Sequence, residues 1–113
     1  MTRSEVVLVD WPYSDLSGTK QRPAVVVRAD FLDGIIDDTI LVKITGRCFG
    51  IPGTEVKLDP SGEPSSGLSK VCYASCYNLL TRDEAMIGAV IGYLSDATMC
   101  RIEACLKQVL DLP

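Results

Sequence analysis

The stretch Lys20-Gln21-Arg22-Pro23-Ala24-Val25-Val26-Val27-Arg28 decides the fold. It reads as a strand that begins with charge and runs into a core. Pro23 fixes its own φ, has no N–H to give a sheet ladder, and biases Arg22 towards extended geometry. Alternation sets Arg22, Ala24, Val26 and Arg28 on one face and Pro23, Val25 and Val27 on the other. A strand buried on both faces does not ordinarily carry guanidinium groups, so Arg22 is expected at the strand's mouth. There a rigid backbone presents a permanent cation beside the Ser-, Asp- and Gly-containing loop Pro12–Thr19. A lone arginine in such a place is usually only a solvated strand end.

Outward from this segment, short apolar runs alternate with turn signals. Glu5–Trp11 contains Val6-Val7-Leu8-Val9 and ends at Trp-Pro, a first strand. The quoted stretch supplies a second over Pro23–Ala29, followed by the polar connection Asp30–Asp38. Thr39–Thr45 is a third, with Ile40, Val42 and Ile44 on one face and Leu41, Lys43 and Thr45 on the other. Gly46, Gly50, Pro52 and Gly53 lead to a fourth strand, Thr54–Leu58, and the loop Asp59–Gly67 follows. Leu68–Leu80 and Met86–Tyr93 read as the fifth and sixth.

The chain then changes character. Leu94-Ser95-Asp96 offers an N-cap, and Met99, Ile102, Leu106, Val109 and Leu110 form one apolar stripe at helical spacing. The pattern predicts a mainly β fold, a small antiparallel barrel or curved sheet with an amphipathic C-terminal α-helix packed on it. At 113 residues it is expected to be one domain, residues 1–113.

The net charge of −4 argues against non-specific coating of nucleic acid. The distribution is uneven: Lys20, Arg22, Arg28, Lys43 and Arg47 cluster, while acids weight the last third. A local basic groove on an acidic body is expected. No apolar run approaches the roughly 20 residues that span a bilayer, and the N-terminus lacks a signal-peptide layout. The expectation is a cytoplasmic protein, without membrane association, whose five cysteines are free thiols. With no histidine and no CxxC spacing, neither a metal site nor a cofactor is expected. Cys72 and Cys76 are expected to share a face as small buried side chains.

Val7-Leu-Val-Asp-Trp-Pro-Tyr-Ser-Asp-Leu-Ser-Gly-Thr-Lys-Gln-Arg-Pro-Ala-Val-Val-Val27 resembles the N-terminal block of the MazF/PemK toxins of bacterial toxin–antitoxin modules. That block runs strand, aromatic-Pro loop, Ser-Gly turn, then basic-x-Arg-Pro-Ala-hydrophobic. Leu41-Val-Lys-Ile-Thr45 resembles the strand that ends in the family's threonine. Cys76-Tyr-Asn-Leu-Leu-Thr81 and Ile91-Gly-Tyr-Leu-Ser95 are similar to its C-terminal pattern. The resemblance implies an SH3-like barrel with a C-terminal helix, a homodimer, and a sequence-specific, metal-independent endoribonuclease acting on single-stranded RNA. In that chemistry the ribose 2′-hydroxyl attacks the adjacent phosphate, leaving a 2′,3′-cyclic phosphate and a 5′-hydroxyl. The family's catalytic arginine falls on Arg22 and its threonine on Thr45. Lys20, Lys43, Arg47, Trp11 and Ser17 are the expected RNA-binding residues. A cognate antitoxin with an acidic C-terminal tail is the implied partner. The chain departs from the family at Gly46, where a second hydroxyl residue is common.

The chemistry fits these residues. An arginine fork suits two equatorial oxygens of a phosphorane-like transition state, and Thr45 can add a hydrogen bond. Arginine does not ordinarily deprotonate, so Asp10 or Asp15, by position, or solvent would take the 2′ proton. Arg22 and Thr45 are both expected outside the core. A CcdB-like toxin, which binds DNA gyrase and cleaves nothing, is the alternative. That resemblance implies aromatic and apolar contacts at the C-terminus, whereas this sequence runs Val109-Leu-Asp-Leu-Pro113 and its only Trp is Trp11. An inactive family relative is the third possibility, hinted at by Gly46.

Overall fold

The valines of the quoted stretch divide between two apolar layers, one on each face of a single sheet. The computed structural model describes residues 1–113. Six strands, β1 (Glu5–Pro12), β2 (Thr19–Val26), β3 (Asp38–Thr45), β4 (Glu55–Leu58), β5 (Cys72–Asp83) and β6 (Ile87–Tyr93), precede one helix, α1 (Asp96–Val109). They form an antiparallel sheet in the order β4-β5-β3-β2-β1-β6. Val25 joins Val6, Val42 and Ile44 in the larger core, under Met99 and Ile102 of α1. Ala24 and Val26 join Val7, Val9, Trp11 and Leu41 on the opposite face. The predicted alternation along β2 and β3 therefore holds, and both faces are buried where these strands meet.

Of the two forms expected, barrel or curved sheet, the open curved sheet is found. Its ends are bridged by the loop after β4: Tyr93 N–H donates to the Ser65 carbonyl at 2.9 Å. The approach requires glycine, because a Cβ at Gly92 would stand 2.2 Å from that same oxygen. Ser95 caps α1, its Oγ accepting from Thr98 N–H at 3.3 Å, and Asp96 sits in the first turn. Leu106 and Val109 pack partly against the larger core, whereas Leu110 ends the stripe half-exposed. Cys72 and Cys76 are buried in that core, and all five cysteines are free. No helix is long and apolar enough to cross a membrane.

Most strands differ from the expectation by one residue at an end. β2, which stops at Val26 rather than Ala29, and β5 differ by more, and their differences matter for the site. β2 begins at Thr19 rather than Pro23, because Lys20, Gln21 and Arg22 pair with Trp11, Asp10 and Val9 in a hairpin. It pairs with β3 only over Ala24–Val26; Pro23 has no N–H to extend that ladder. β5 runs Cys72–Asp83 rather than Leu68–Leu80. Its pairing with β3 jumps from Val42↔Leu79 to Lys43↔Ser75, so Cys76, Tyr77 and Asn78 bulge from the ladder.

Arg28 is the main correction to the expected basic groove. It is 1% exposed. Its Nη1 donates to Glu84 Oε1 and the Asp38 carbonyl, both at 3.0 Å, and its Nη2 to Asp33 Oδ1 at 3.1 Å and the Met1 carbonyl at 2.5 Å. A guanidinium with two carboxylates and two carbonyls belongs to the fold and is closed to any ligand.

Candidate active site

Along β2 and β3 one face changes from apolar to cationic. Read towards the N-terminus, β2 presents Val26, Ala24 and then Arg22; read forward, β3 presents Leu41, Lys43 and then Thr45. Lys43 pairs opposite Ala24, and the same register carried two residues further sets Thr45 opposite Arg22. The smaller core stops here because the ladder does. Beyond Pro23 the two strands frame an opening, closed on one side by the β1–β2 loop and on another by the β5 bulge.

Two adjoining cavities fill that opening. One, about 310 Å³, is lined by Trp11, Tyr13, Lys20, Arg22 and Lys43 among others. The other, about 500 Å³, is lined by Ser14, Arg22, Lys43, Thr45, Gly46, Arg47, Phe49, Lys70, Tyr77 and Asn78. No Asp or Glu lines either one. On a chain of net charge −4 this is a segregated pole of positive charge.

Individual side chains are held by local chemistry. The Thr45 hydroxyl accepts from Arg47 N–H at 3.2 Å; with no protein acceptor for its own proton, it is free to donate outwards. Thr45 is 8% exposed and so lies inside the packed structure, contrary to the expectation that it stands clear of the core. The Arg47 guanidinium sits 5.1 Å from the Phe49 ring centre, and Phe49 meets Tyr77 edge-on at 6.3 Å. Asn78 donates to the buried Ser75 Oγ at 2.8 Å, which fixes its amide. Burial pushes the Lys43 ammonium below the usual lysine range, and the neighbouring Arg22 charge pushes it further.

Of the expected site residues, Arg22, Lys43, Thr45 and Arg47 converge on the larger cavity, and Lys20 and Trp11 on the smaller. Trp11 is only 7% exposed, its ring packed into the smaller core. Ser17 lines neither cavity; its N–H closes a turn on Asp15 Oδ1 at 3.0 Å, and Ser14 from the same loop reaches the site instead. Asp10 and Asp15, considered by position as proton acceptors, line neither cavity. Lys70 was not anticipated. It borders position 46, where a Cβ would meet its Nζ in ordinary contact at 3.9 Å. Tyr77 and Asn78 were missed as site residues because a bulge has no sequence signature comparable to that of a strand.

A family model for the PemK-like, MazF-like toxin of type II toxin–antitoxin systems matches residues 2–110. Among solved structures, an endoribonuclease in complex with its cognate antitoxin from a mycobacterial species is 25% identical. That similarity covers 100% of this chain and 97% of that one, with a TM-score of 0.81. The Mycobacterium tuberculosis toxin MazF-mt6 is 21% identical over 95% of this chain and 98% of that chain, TM-score 0.75. A MazE–MazF structure from Deinococcus radiodurans is 17% identical over 100% and 98%, TM-score 0.76. The last two establish a shared fold.

Proposed function

The chain belongs to the PemK-like, MazF-like toxins of type II toxin–antitoxin systems, and from that premise we propose that it is a sequence-specific endoribonuclease acting on single-stranded RNA. The observation that carries this reading is the convergence of Arg22, Lys43, Thr45 and Arg47 on one cavity without a carboxylate. A phosphodiester is the ligand such a site suits, since it offers negative oxygens to several cations at once.

Arg22 clamps two non-bridging oxygens of the scissile phosphate, and Thr45 donates to one of them with the proton that no protein group accepts. The substrate's own 2′-hydroxyl attacks in line, the P–O5′ bond breaks, and a 2′,3′-cyclic phosphate and a 5′-hydroxyl result. With no carboxylate lining the cavities, solvent takes the 2′ proton. Lys20, Arg47 and Lys70 hold the flanking backbone. Phe49 and Tyr77, each nearly half exposed at the rim, offer faces on which unpaired bases stack. The reaction needs no metal, because these residues supply the charge a metal would otherwise provide. The same cationic pole suits an acidic antitoxin tail, and the active form is a homodimer in the cytoplasm.

The test is an oligoribonucleotide carrying one 2′-deoxy substitution at the cleaved position. It should bind as tightly as the all-ribose strand and remain uncut, and cleavage of the all-ribose strand should persist in excess EDTA. Cutting of the deoxy strand at the usual bond would remove 2′-hydroxyl attack.

A further inference from the structure

The proposed cleavage leaves one proton without a donor. When the P–O5′ bond breaks, the departing oxygen has to be protonated. Arginines do not give up a proton in proteins, the chain has no histidine, and no carboxylate lines the cavities. Lys43 is the only lysine of the chain that is partly buried, the other four being exposed. It projects from a strand paired on both sides, by β2 and β5. It stands one rung from Arg22 and two residues before Thr45 on the same face, and it lines both cavities.

We propose that Lys43 is the general acid of the reaction, giving its proton to the 5′ oxygen as the P–O5′ bond breaks. The proposal rests on the endoribonuclease reading and adds a role to a residue that the resemblance treats only as an RNA contact. The step balances. The 2′ oxygen bonds to phosphorus and loses its proton to water; O5′ leaves with the electron pair of the broken bond and takes a proton from the ammonium. The neutral amine is then reprotonated by solvent.

The charged and titratable groups facing Lys43 are Lys20 and Arg22 from β2, Arg47 beyond β3, Lys70 ahead of β5, Tyr77 in the bulge, and Tyr13 in the β1–β2 loop. None is an Asp or Glu. Burial, then the Arg22 charge, makes the Lys43 proton easier to release than an ordinary lysine's, and an acid closer to the working pH transfers its proton more effectively. The sign follows: a lysine acting as acid works while protonated. The rate should therefore level off at lower pH and fall as pH rises through a value below the ordinary 10.5.

A 5′-bridging phosphorothiolate strand tests the role, because a thiolate leaves without needing a proton. On ordinary RNA, Lys43→Met and Lys43→Arg should each lower kcat by about 10²–10⁴-fold. Lys43→Arg should still bind the uncleavable 2′-deoxy strand as wild type does, which shows that the site is folded. On the phosphorothiolate strand both Lys43 variants should recover most of the loss, while Arg22→Lys should not. Near-full activity of Lys43→Arg on ordinary RNA, or no recovery on the phosphorothiolate, overturns the Lys43 role and leaves the endoribonuclease reading standing. A wild-type protein that cuts neither strand overturns both.

Discussion

Arg22 and Arg28 stand six residues apart, Arg22 within β2 and Arg28 just past its end, roughly 20 Å along extended backbone. By alternation they share a face, and in the sequence they look like a pair. In the fold they have opposite fates. Arg28 is closed in by Asp33, Glu84 and two carbonyls. Arg22 lines an open cavity with three other cations and no acid. What a guanidinium does is set by what reaches it. The acids that reach Arg28 are Asp33, five residues on in the Asp30–Asp38 connection, and Glu84, from the turn after β5 and 56 residues away.

The comparison breaks most visibly on stability. Arg28→Met should lower the unfolding free energy by about 3–5 kcal/mol, the usual cost of removing one partner from a buried ion pair. Asp33 and Glu84 keep 42% and 30% exposure, so water repays part of that and the lower end is expected. The Arg28 Nε has no partner to lose. Urea titration measures the loss, and cleavage per folded molecule should be unchanged. Lost cleavage with intact stability would mean that Arg28 belongs to the site after all.

At the other end the effects should be reversed. Arg22→Lys keeps the charge and loses the bidentate fork. Loss of a preorganised transition-state donor costs about 2.7–4 kcal/mol, or roughly 10²–10³ in kcat, and the melting temperature should not move. Single-turnover cleavage beside a thermal melt separates the two quantities. A lysine variant with near-full activity would leave the fork without a role.

The sequence made one arginine legible and the other misleading, for a physical reason. Alternation and Pro23 are local, so the layering of Ala24, Val25 and Val26 could be read from a few residues. The same holds for the Ser95 cap and the Met99–Ile102 face of α1. Arg22 stood out as a cation beside Pro23 on an otherwise apolar face, whereas Thr45 was picked out by the family resemblance alone. Arg28 was misread because burying it depends on Asp33 and Glu84, the latter 56 residues away. Lys70, Tyr77 and Asn78 were not read as site residues for the same reason. Tyr77 and Asn78 enter through the β3–β5 register shift, a property of two strands that neither carries alone, and Lys70 enters from the loop ahead of β5.

The smallest effect asks whether the contrast survives reversal of charge. Glu63, 7% exposed, is a buried anion as Arg28 is a buried cation. Its carboxylate accepts from Ser95 N–H at 3.0 Å, from Ser95 Oγ at 2.8 Å and from the Thr98 hydroxyl, binding the loop after β4 to the start of α1. Burial pushes the Glu63 carboxyl up, but the bonds from Thr98 and Ser95 and the Arg101 charge outweigh it, so it titrates below its ordinary 4.5. The ionised form is thus favoured by folding. The stability it confers is fully present above the ordinary value and is lost as pH falls through the lower folded-state value. Glu63→Gln keeps the shape without the charge and should cost about 1.5–3 kcal/mol at neutral pH, the range of hydrogen bonds to a charged group. That deficit should shrink in acid, where the wild-type carboxyl is also neutral, while cleavage by folded protein is unaffected. Urea titrations of both proteins at neutral and acidic pH give the comparison. A deficit equal at both would assign the cost to packing, and Glu63 would then not be the anionic counterpart of Arg28.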